Sequence, residues 1–265
     1  MSRYALINSG DSVCPRKILP ATETGVFTET QLKEEREQYI LEDGDDLRFQ
    51  QEYMCSFEGA VQGSYYGKML QLVEQKKQIT TVPYDVNLPV TTVWDLGMSD
   101  ATSIWFLQTV NKEVRLIDYL EAEGEGLAYY YQELQAKGYT YKRHYAPHDI
   151  KVRELGSGQS RLETAKSLGI QFEVVPNISV QDGIQAVRKI LPLCWFDKDK
   201  CEHGLSALYN YHKFYDEKRK IYKNTPDHDW SSHGADSFRY LAVVYNKLTQ
   251  TAHNPFSNNK PTLFR

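Results

Sequence analysis

The stretch Val90-Thr91-Thr92-Val93-Trp94-Asp95-Leu96-Gly97 sets the interpretation of the whole chain. Its β-branched and aromatic residues predict a strand. One carboxylate, Asp95, lies inside this apolar run. Because an ionised Asp is costly to bury unless it is paired or bound to a metal ion, its place in a strand indicates a functional role.

The segments that follow predict a mixed α/β fold. Five of them have the composition of strands: 90–96, 102–110, 113–120, 143–146 and 172–176. Helical periodicity is found at 126–136, 160–168, 179–191 and 232–247. Three strands in a meander, followed by alternating helices and strands, predict a mixed five-stranded sheet with flanking helices.

Two more aspartates lie where such a fold could bring them to Asp95. Asp149 follows the fourth predicted strand, and Asp236 lies near the start of the last helix. Three neighbouring carboxylates repel one another unless a hard cation such as Mg²⁺ or Mn²⁺ neutralises them. The pattern therefore predicts metal-assisted phosphoryl transfer on nucleic acid. A purely structural role is the alternative for each acid. Asp95 could cap a turn, Asp149 could be the N-cap of a helix, and Asp236 could be an acid in the first turn of a helix.

Composition limits the other possibilities. The chain has 265 residues, a formal net charge of -4 and a pI near 6.0, so its overall charge does not favour nucleic-acid binding. Its four cysteines form no CxxC pair, which favours reduced thiols over a disulfide framework. Cys194, Cys201 and His203 lack the usual spacing and fourth ligand of a zinc site. With no signal peptide and no membrane span, a soluble intracellular protein is expected.

A basic segment near Asp236 is a candidate for DNA contact. Residues 213–223 predict a hairpin with a charged tip, and further basic residues follow Asp149. The candidate phosphate-binding residues are Lys213, Lys218, Arg219, Lys220, Lys151 and Arg153. A solvated hairpin with no ligand is the alternative.

The order of strands and helices is similar to the ribonuclease H fold, and particular motifs resemble one family. They are Trp94-Asp95-Leu96-Gly97 with Ser99-Asp100-Ala101-Thr102, Pro147-His148-Asp149, and His233-Gly234-Ala235-Asp236-Ser237-Phe238-Arg239-Tyr240. Together they resemble the C-terminal nuclease part of the large terminase subunit of tailed bacteriophages. Residues 1–85 resemble the end of that family's ATPase part, 86–250 the nuclease domain, and 251–265 are expected to be a flexible tail.

The resemblance implies a metal-dependent endonuclease that cuts double-stranded DNA during viral genome packaging. Asp95, Asp149 and Asp236 would hold two Mg²⁺ or Mn²⁺ ions, with Asp229 as a further candidate ligand and His233 as a candidate for proton transfer. Implied partners are DNA, the portal protein and the small terminase subunit, in a packaging complex in the host cytoplasm. The sequence has no Walker A motif, so no ATPase activity is expected.

Two rival functions remain open at this point. One is a branched-DNA resolvase or recombinase with the same fold. The other is a non-catalytic docking module of the packaging motor, in which the acids only stabilise loops. Comparing cleavage of branched and linear DNA distinguishes the resolvase from the packaging nuclease. A metal titration distinguishes the docking module, which would bind no metal.

Overall fold

The structure is a computed structural model that describes residues 21–43, 49, 53, 63–97, 101–153, 158–216 and 218–252. The strands are β1 Ile79–Thr80, β2 Val90–Asp95, β3 Ala101–Val110, β4 Glu113–Glu123, β5 Tyr141–Ala146, β6 Phe172–Val174, β7 Cys194–Asp197, β8 Lys213–Asp216 and β9 Ile221–Pro226. The helices are α1 Ala21–Thr24, α2 Glu29–Asp43, α3 Gly67–Gln75, α4 Leu127–Ala136, α5 Arg161–Ser167, α6 Val180–Ile190, α7 Glu202–Asn210 and α8 Ser231–Ala252. Short 3-10 turns occupy His148–Lys151 and Leu191–Leu193.

The main sheet has seven strands in the order β1-β7-β4-β3-β2-β5-β6. Strand β3 is antiparallel to β2 and β4, and the other neighbours are parallel. The predicted mixed α/β sheet is confirmed, but its predicted count of five strands is wrong. Strands β1 and β7 have two and four residues, which is too short for a periodic pattern, so their pairing depends on tertiary contacts.

Apolar cores cover both faces of this sheet. Successive side chains of a strand point to opposite faces. On β2, Trp94 therefore packs with Tyr130 of α4, while Val93 belongs to the core shared with Phe238 of α8. Asp95 is two residues from Val93 and so lies on the face covered by α6, α7 and α8.

Side-chain caps mark the starts of helices α6 and α2, of which the helix from residue 179 was predicted. The Ser179 hydroxyl accepts a hydrogen bond from the Asp182 backbone N–H at 3.1 Å, at the start of α6. Thr28 and Gln31 form reciprocal side-chain-to-backbone hydrogen bonds at the start of α2. These caps satisfy N–H groups that lack partners within the helix.

Part of the N-terminal segment packs on the sheet. Strand β1 pairs with β7, and the Gln78 side chain donates to the Cys194 carbonyl at 2.9 Å. A separate small cluster contains Ala21, Leu32, Phe49 and Tyr53. The predicted domain boundary between residues 85 and 86 stays a prediction. Asp100 and residues 253–265 of the predicted tail lie outside the described residues. Within the described ranges, no helix has the length and apolar character needed to cross a membrane.

Candidate active site

Helix α8 is fixed to the sheet by hydrogen bonds from β3. The Ser103 hydroxyl donates to the His233 carbonyl at 2.7 Å, and the Trp105 indole N–H donates to the Gly234 carbonyl at 2.9 Å. A Cβ at Gly234 would lie 2.7 Å from the Tyr119 hydroxyl, so glycine permits this close approach. Ser103 pairs with Asp95 on β2. The first turns of α8 are therefore held near the end of β2.

Asp95 is the central acid of the site. Burial raises the pKa of its carboxyl well above the ordinary value, and the negative charges of Asp236 and Asp149 raise it further. The three predicted acids thus lie within electrostatic range of one another. This proximity is what the sequence predicts, although their roles as ligands stay predictions.

Asp149 reaches the site through the parallel pairing of β2 and β5. Val93 is in register with Tyr145, so the two strands end at the same edge of the sheet. Beyond that edge the chain forms the 3-10 turn His148–Lys151, in which Asp149 is exposed while Ile150 is buried. Asp149 is therefore the most accessible of the three acids.

Asp236 is held on α8 one turn before a buried arginine. Its Oδ1 is 2.9 Å from Nη2 of Arg239 and accepts a hydrogen bond from the Tyr211 hydroxyl at 3.4 Å. Burial raises the pKa of the Asp236 carboxyl and outweighs the opposite effect of Arg239. Burial thus works against the charged form of this acid, as it does at Asp95.

A fourth acid, Glu121, lies in the same row of the sheet and is absent from the sequence prediction. Ser103 pairs with Asp95 on one side and with Glu121 on the other. Burial raises the pKa of Glu121, but hydrogen bonds with His203 and Tyr119 outweigh it, so the pKa is lowered overall. The lowered pKa favours the charged form of Glu121, whose negative charge also raises the pKa of Asp95.

A bulge explains why counting residues does not find Glu121. Near the β3–β4 turn, Val110 pairs with Glu113. If this pairing continued one residue at a time along both strands, Leu120 would lie opposite Ser103. The register shifts by one residue between Phe106 and Leu107, which moves Glu121 into that place. A one-residue shift moves the side chains that follow it to the opposite face of the sheet. This bulge has no evident sequence signal.

The other predicted site residues have different surroundings. The Asp229 carboxylate accepts hydrogen bonds from the Ser231 backbone N–H at 3.0 Å and the Ser231 hydroxyl at 2.5 Å, so it caps the start of α8. The positive charge that His233 can carry contributes to lowering the pKa of Glu121. Metal binding by Asp229 and proton transfer by His233 stay predictions.

The donor set has the chemistry that a hard divalent cation requires, since clustered carboxylates provide anionic oxygen ligands. Burial and the charges of Asp236 and Asp149 raise the pKa of Asp95, and a cation bound there would favour its charged form. Among the described residues, however, no three His, Cys, Asp or Glu side chains are placed closely enough to hold an ion together.

The predicted basic hairpin is present. Strands β8 and β9 form a separate two-stranded sheet, and β8 begins at Lys213, two residues after Tyr211, which contacts Asp236. Three basic residues are exposed at the tip: Lys218, Arg219 and Lys220. Lys151 and Arg153 are also exposed, with Arg153 donating to the Gly158 carbonyl at 2.9 Å. Their placement suits phosphate contact, and that role stays a prediction.

The raised pKa of Asp95 predicts how stability depends on pH without metal. The folded state binds this proton more tightly than the unfolded chain, so the contribution of Asp95 to stability falls as pH rises above about 4. In EDTA, we expect Asp95→Asn to become increasingly more stable than wild type, measured as free energy of unfolding, as the pH rises from about 4 to 7. Urea unfolding at several pH values measures it. A difference that does not change with pH would contradict the raised pKa of Asp95.

Solved structures with a similar fold are large terminases. The chain is 16% identical to the large terminase of a thermophilic bacteriophage, covering 85% of this chain and 54% of that one with a TM-score of 0.51. It is 14% identical to the P22 large terminase nuclease domain, covering 67% of this chain and 94% of that domain with a TM-score of 0.50. No protein-family model and no curated protein compared with the sequence gave a match.

These similarities confirm the predicted ribonuclease H-like fold and the resemblance to large terminases at the level of fold. The chain spans about half the length of the large terminase from the thermophilic phage. Almost the whole P22 nuclease domain is covered, so the shared region corresponds to a nuclease domain in that protein.

Proposed function

We propose that the chain is a metal-dependent endonuclease that cuts double-stranded DNA during viral genome packaging. The observation that carries this proposal is the grouping of Asp95, Asp149 and Asp236 at one edge of a ribonuclease H-like sheet. Burial and the charges of the two neighbouring acids all raise the pKa of Asp95, a perturbation that is common at functional sites and that a bound divalent cation would oppose. The fold shared with the P22 large terminase nuclease domain supports the same reaction class.

Each acid has a distinct position in the proposed reaction. The charges of both other acids act on Asp95, which would contribute to holding both of two Mg²⁺ or Mn²⁺ ions. Asp236 is held on a buried helix, whereas Asp149 is exposed and free to approach DNA. In such sites divalent cations activate a water and stabilise the leaving oxygen. His233 lies on the same face of α8 as Asp236 and would transfer a proton.

DNA would be held by contacts to its backbone. The exposed tip of the β8–β9 hairpin carries Lys218, Arg219 and Lys220, and Tyr215 and Tyr222 pack together at 4.9 Å between ring centroids behind it. Backbone contacts carry no base information, so weak sequence preference is expected. The portal protein and the small terminase subunit are the proposed partners, in a packaging complex in the host cytoplasm. In the absence of a Walker A motif we propose no ATPase activity for these residues.

The test of the proposed function is cleavage of supercoiled plasmid in Mn²⁺, in Mg²⁺ and in EDTA. Nicked and linear products are expected with either metal and none with EDTA. A four-way junction and linear DNA of the same length are compared in parallel. Equal cleavage of both substrates supports the packaging nuclease, whereas cutting of the junction alone would favour a resolvase.

The hairpin provides a separate prediction about salt. Changing Lys218, Arg219 and Lys220 to Ala should weaken cleavage at moderate salt and reduce the slope of log affinity against log salt by up to about 3 units, roughly 0.9 for each phosphate that is no longer neutralised. DNA affinity at several salt concentrations measures the slope. Its control removes three exposed lysines outside the hairpin: Lys76, Lys112 and Lys198. A hairpin variant with the wild-type slope would show that the hairpin is only a solvated element.

A further inference from the structure

Arg239 is a buried cation beside one of the proposed catalytic acids. Arg239 is only 6% exposed. Its Nη2 lies 2.9 Å from Oδ1 of Asp236, which is one helical turn earlier on α8. A buried guanidinium requires an anionic partner, because an unpaired buried charge is strongly unfavourable. Asp236 provides it, so the two side chains fix each other.

The Asp236 carboxylate is held through one of its two oxygens. Both Arg239 and the Tyr211 hydroxyl contact Oδ1, and the Tyr211 ring stacks on the buried Tyr66 ring at 5.7 Å between centroids. Within the part of the chain that the structure describes, no hydrogen-bond donor contacts Oδ2. A carboxylate fixed in this way keeps its second oxygen available for another ligand.

The position of Arg239 is itself determined by a glycine on α6. A Cβ at Gly183 would lie 2.4 Å from both Cγ and Cδ of Arg239, so the side-chain stem occupies space that only glycine leaves open. The guanidinium carbon lies 5.2 Å from the centroid of the Tyr240 ring. The stem is therefore held between α6 and α8, and the guanidinium end is directed to Asp236.

Arg239 also lowers the electrostatic cost of the acid cluster. Its charge counteracts the repulsion from Asp236 and Asp149 at Asp95. A permanent positive charge at this place makes it possible to keep several carboxylates close together before a cation binds. At the same time it leaves Asp236 one oxygen with which to bind that cation.

We propose that Arg239 is a positioning residue of the nuclease site, which fixes Asp236 through Oδ1 so that Oδ2 is presented to a divalent cation. This inference rests on the proposed function. Hydrogen bonds that orient a metal-binding carboxylate raise metal affinity, and their loss commonly costs about 10- to 100-fold. The effect of Arg239 therefore belongs to metal binding as well as to cleavage.

The experiment is a calorimetric titration of Mn²⁺ into the full chain without DNA. Arg239→Gln should weaken Mn²⁺ affinity about 10- to 100-fold, and Arg239→Lys, which keeps the charge but loses the planar fork, should recover part of the loss. The matched control is Arg188→Gln on α6, since Arg188 donates to the Tyr65 carbonyl at 3.1 Å and contacts none of the acids. It should bind Mn²⁺ like wild type.

A second variant avoids changing any charge. Gly183→Ala should displace the Arg239 stem and weaken Mn²⁺ affinity in the same direction, which decides the question if Arg239→Gln does not fold. Folded variants that bind Mn²⁺ as tightly as wild type would overturn the positioning role of Arg239 but not the metal site. Tighter binding by Arg239→Gln would show instead that Arg239 competes with the cation. A wild-type chain that binds no Mn²⁺ would overturn both this role and the metal site.

Discussion

Asp95→Asn is expected to lower the rate of plasmid cleavage about 10³-fold or more, the order of loss found when one of several cooperating catalytic groups is removed. An amide has no net charge and cannot replace the anionic oxygens that hold divalent cations. The same variant should unfold at a higher temperature than wild type in EDTA, because it removes the acid whose charge is most disfavoured by burial and by its neighbours. Plasmid cleavage and thermal unfolding measure the two effects.

The control for this variant is another buried aspartate, Asp118 on β4. Its carboxylate is 2.6 Å from Lys137 Nζ and accepts a hydrogen bond from the Tyr139 hydroxyl at 3.0 Å, away from the acid cluster. Asp118→Asn should lower stability, because it breaks a buried ion pair, and should retain cleavage below its unfolding temperature. Wild-type cleavage by a folded Asp95→Asn protein would contradict the proposed role of Asp95.

Trp105→Ala should have the largest effect on stability, about 3–5 kcal/mol, the usual range for removing a large buried aromatic side chain. Trp105 is fully buried and packs against Tyr119, Phe196 and Phe238. A Cβ at Gly204 would lie only 2.4 Å from its ring, so α7 closes tightly over it. The variant also loses the hydrogen bond to the Gly234 carbonyl that fixes α8 over the sheet.

Urea unfolding measures this loss, and Trp105→Phe gives a second readout. Phenylalanine keeps most of the buried ring but not the indole N–H, so a smaller loss of stability should accompany reduced Mn²⁺ affinity. Trp94→Phe is the matched control, since Trp94 is also fully buried but packs on the opposite face, where its indole donates to Thr92 at 2.6 Å. If both Phe variants bind Mn²⁺ equally well, the Trp105 bond does not position the site.

The central strands and the late helix could be predicted from sequence because their patterns are long and local. The β2–β4 meander, the caps of α5 and α6 and the apolar face of α8 all follow from residues within one element. Asp95 could be selected as a candidate because a carboxylate inside an apolar strand is unusual, and Asp149 and Asp236 because the predicted fold could bring them to it. Their proximity then followed from the order of the strands.

The remaining features depend on contacts between distant residues. Strands β1 and β7 are short and pair through the packing of residues more than a hundred positions apart. Glu121 reaches the acid row through a bulge, and Arg239 acquires its role from a glycine on another helix. The bulge and the close approach of Gly183 to Arg239 have no local signal, so the fourth acid and the burial of the arginine could be found only from the structure.

The most direct test of the central claim is calorimetric titration of Mn²⁺ into the metal-free chain and its Asp236→Asn variant. We expect saturable binding by wild type, a rise in the unfolding midpoint that grows with Mn²⁺ concentration, and much weaker binding by the variant. Absence of binding by a folded wild-type chain, or equal binding by the two proteins, would contradict a metal site built on these aspartates.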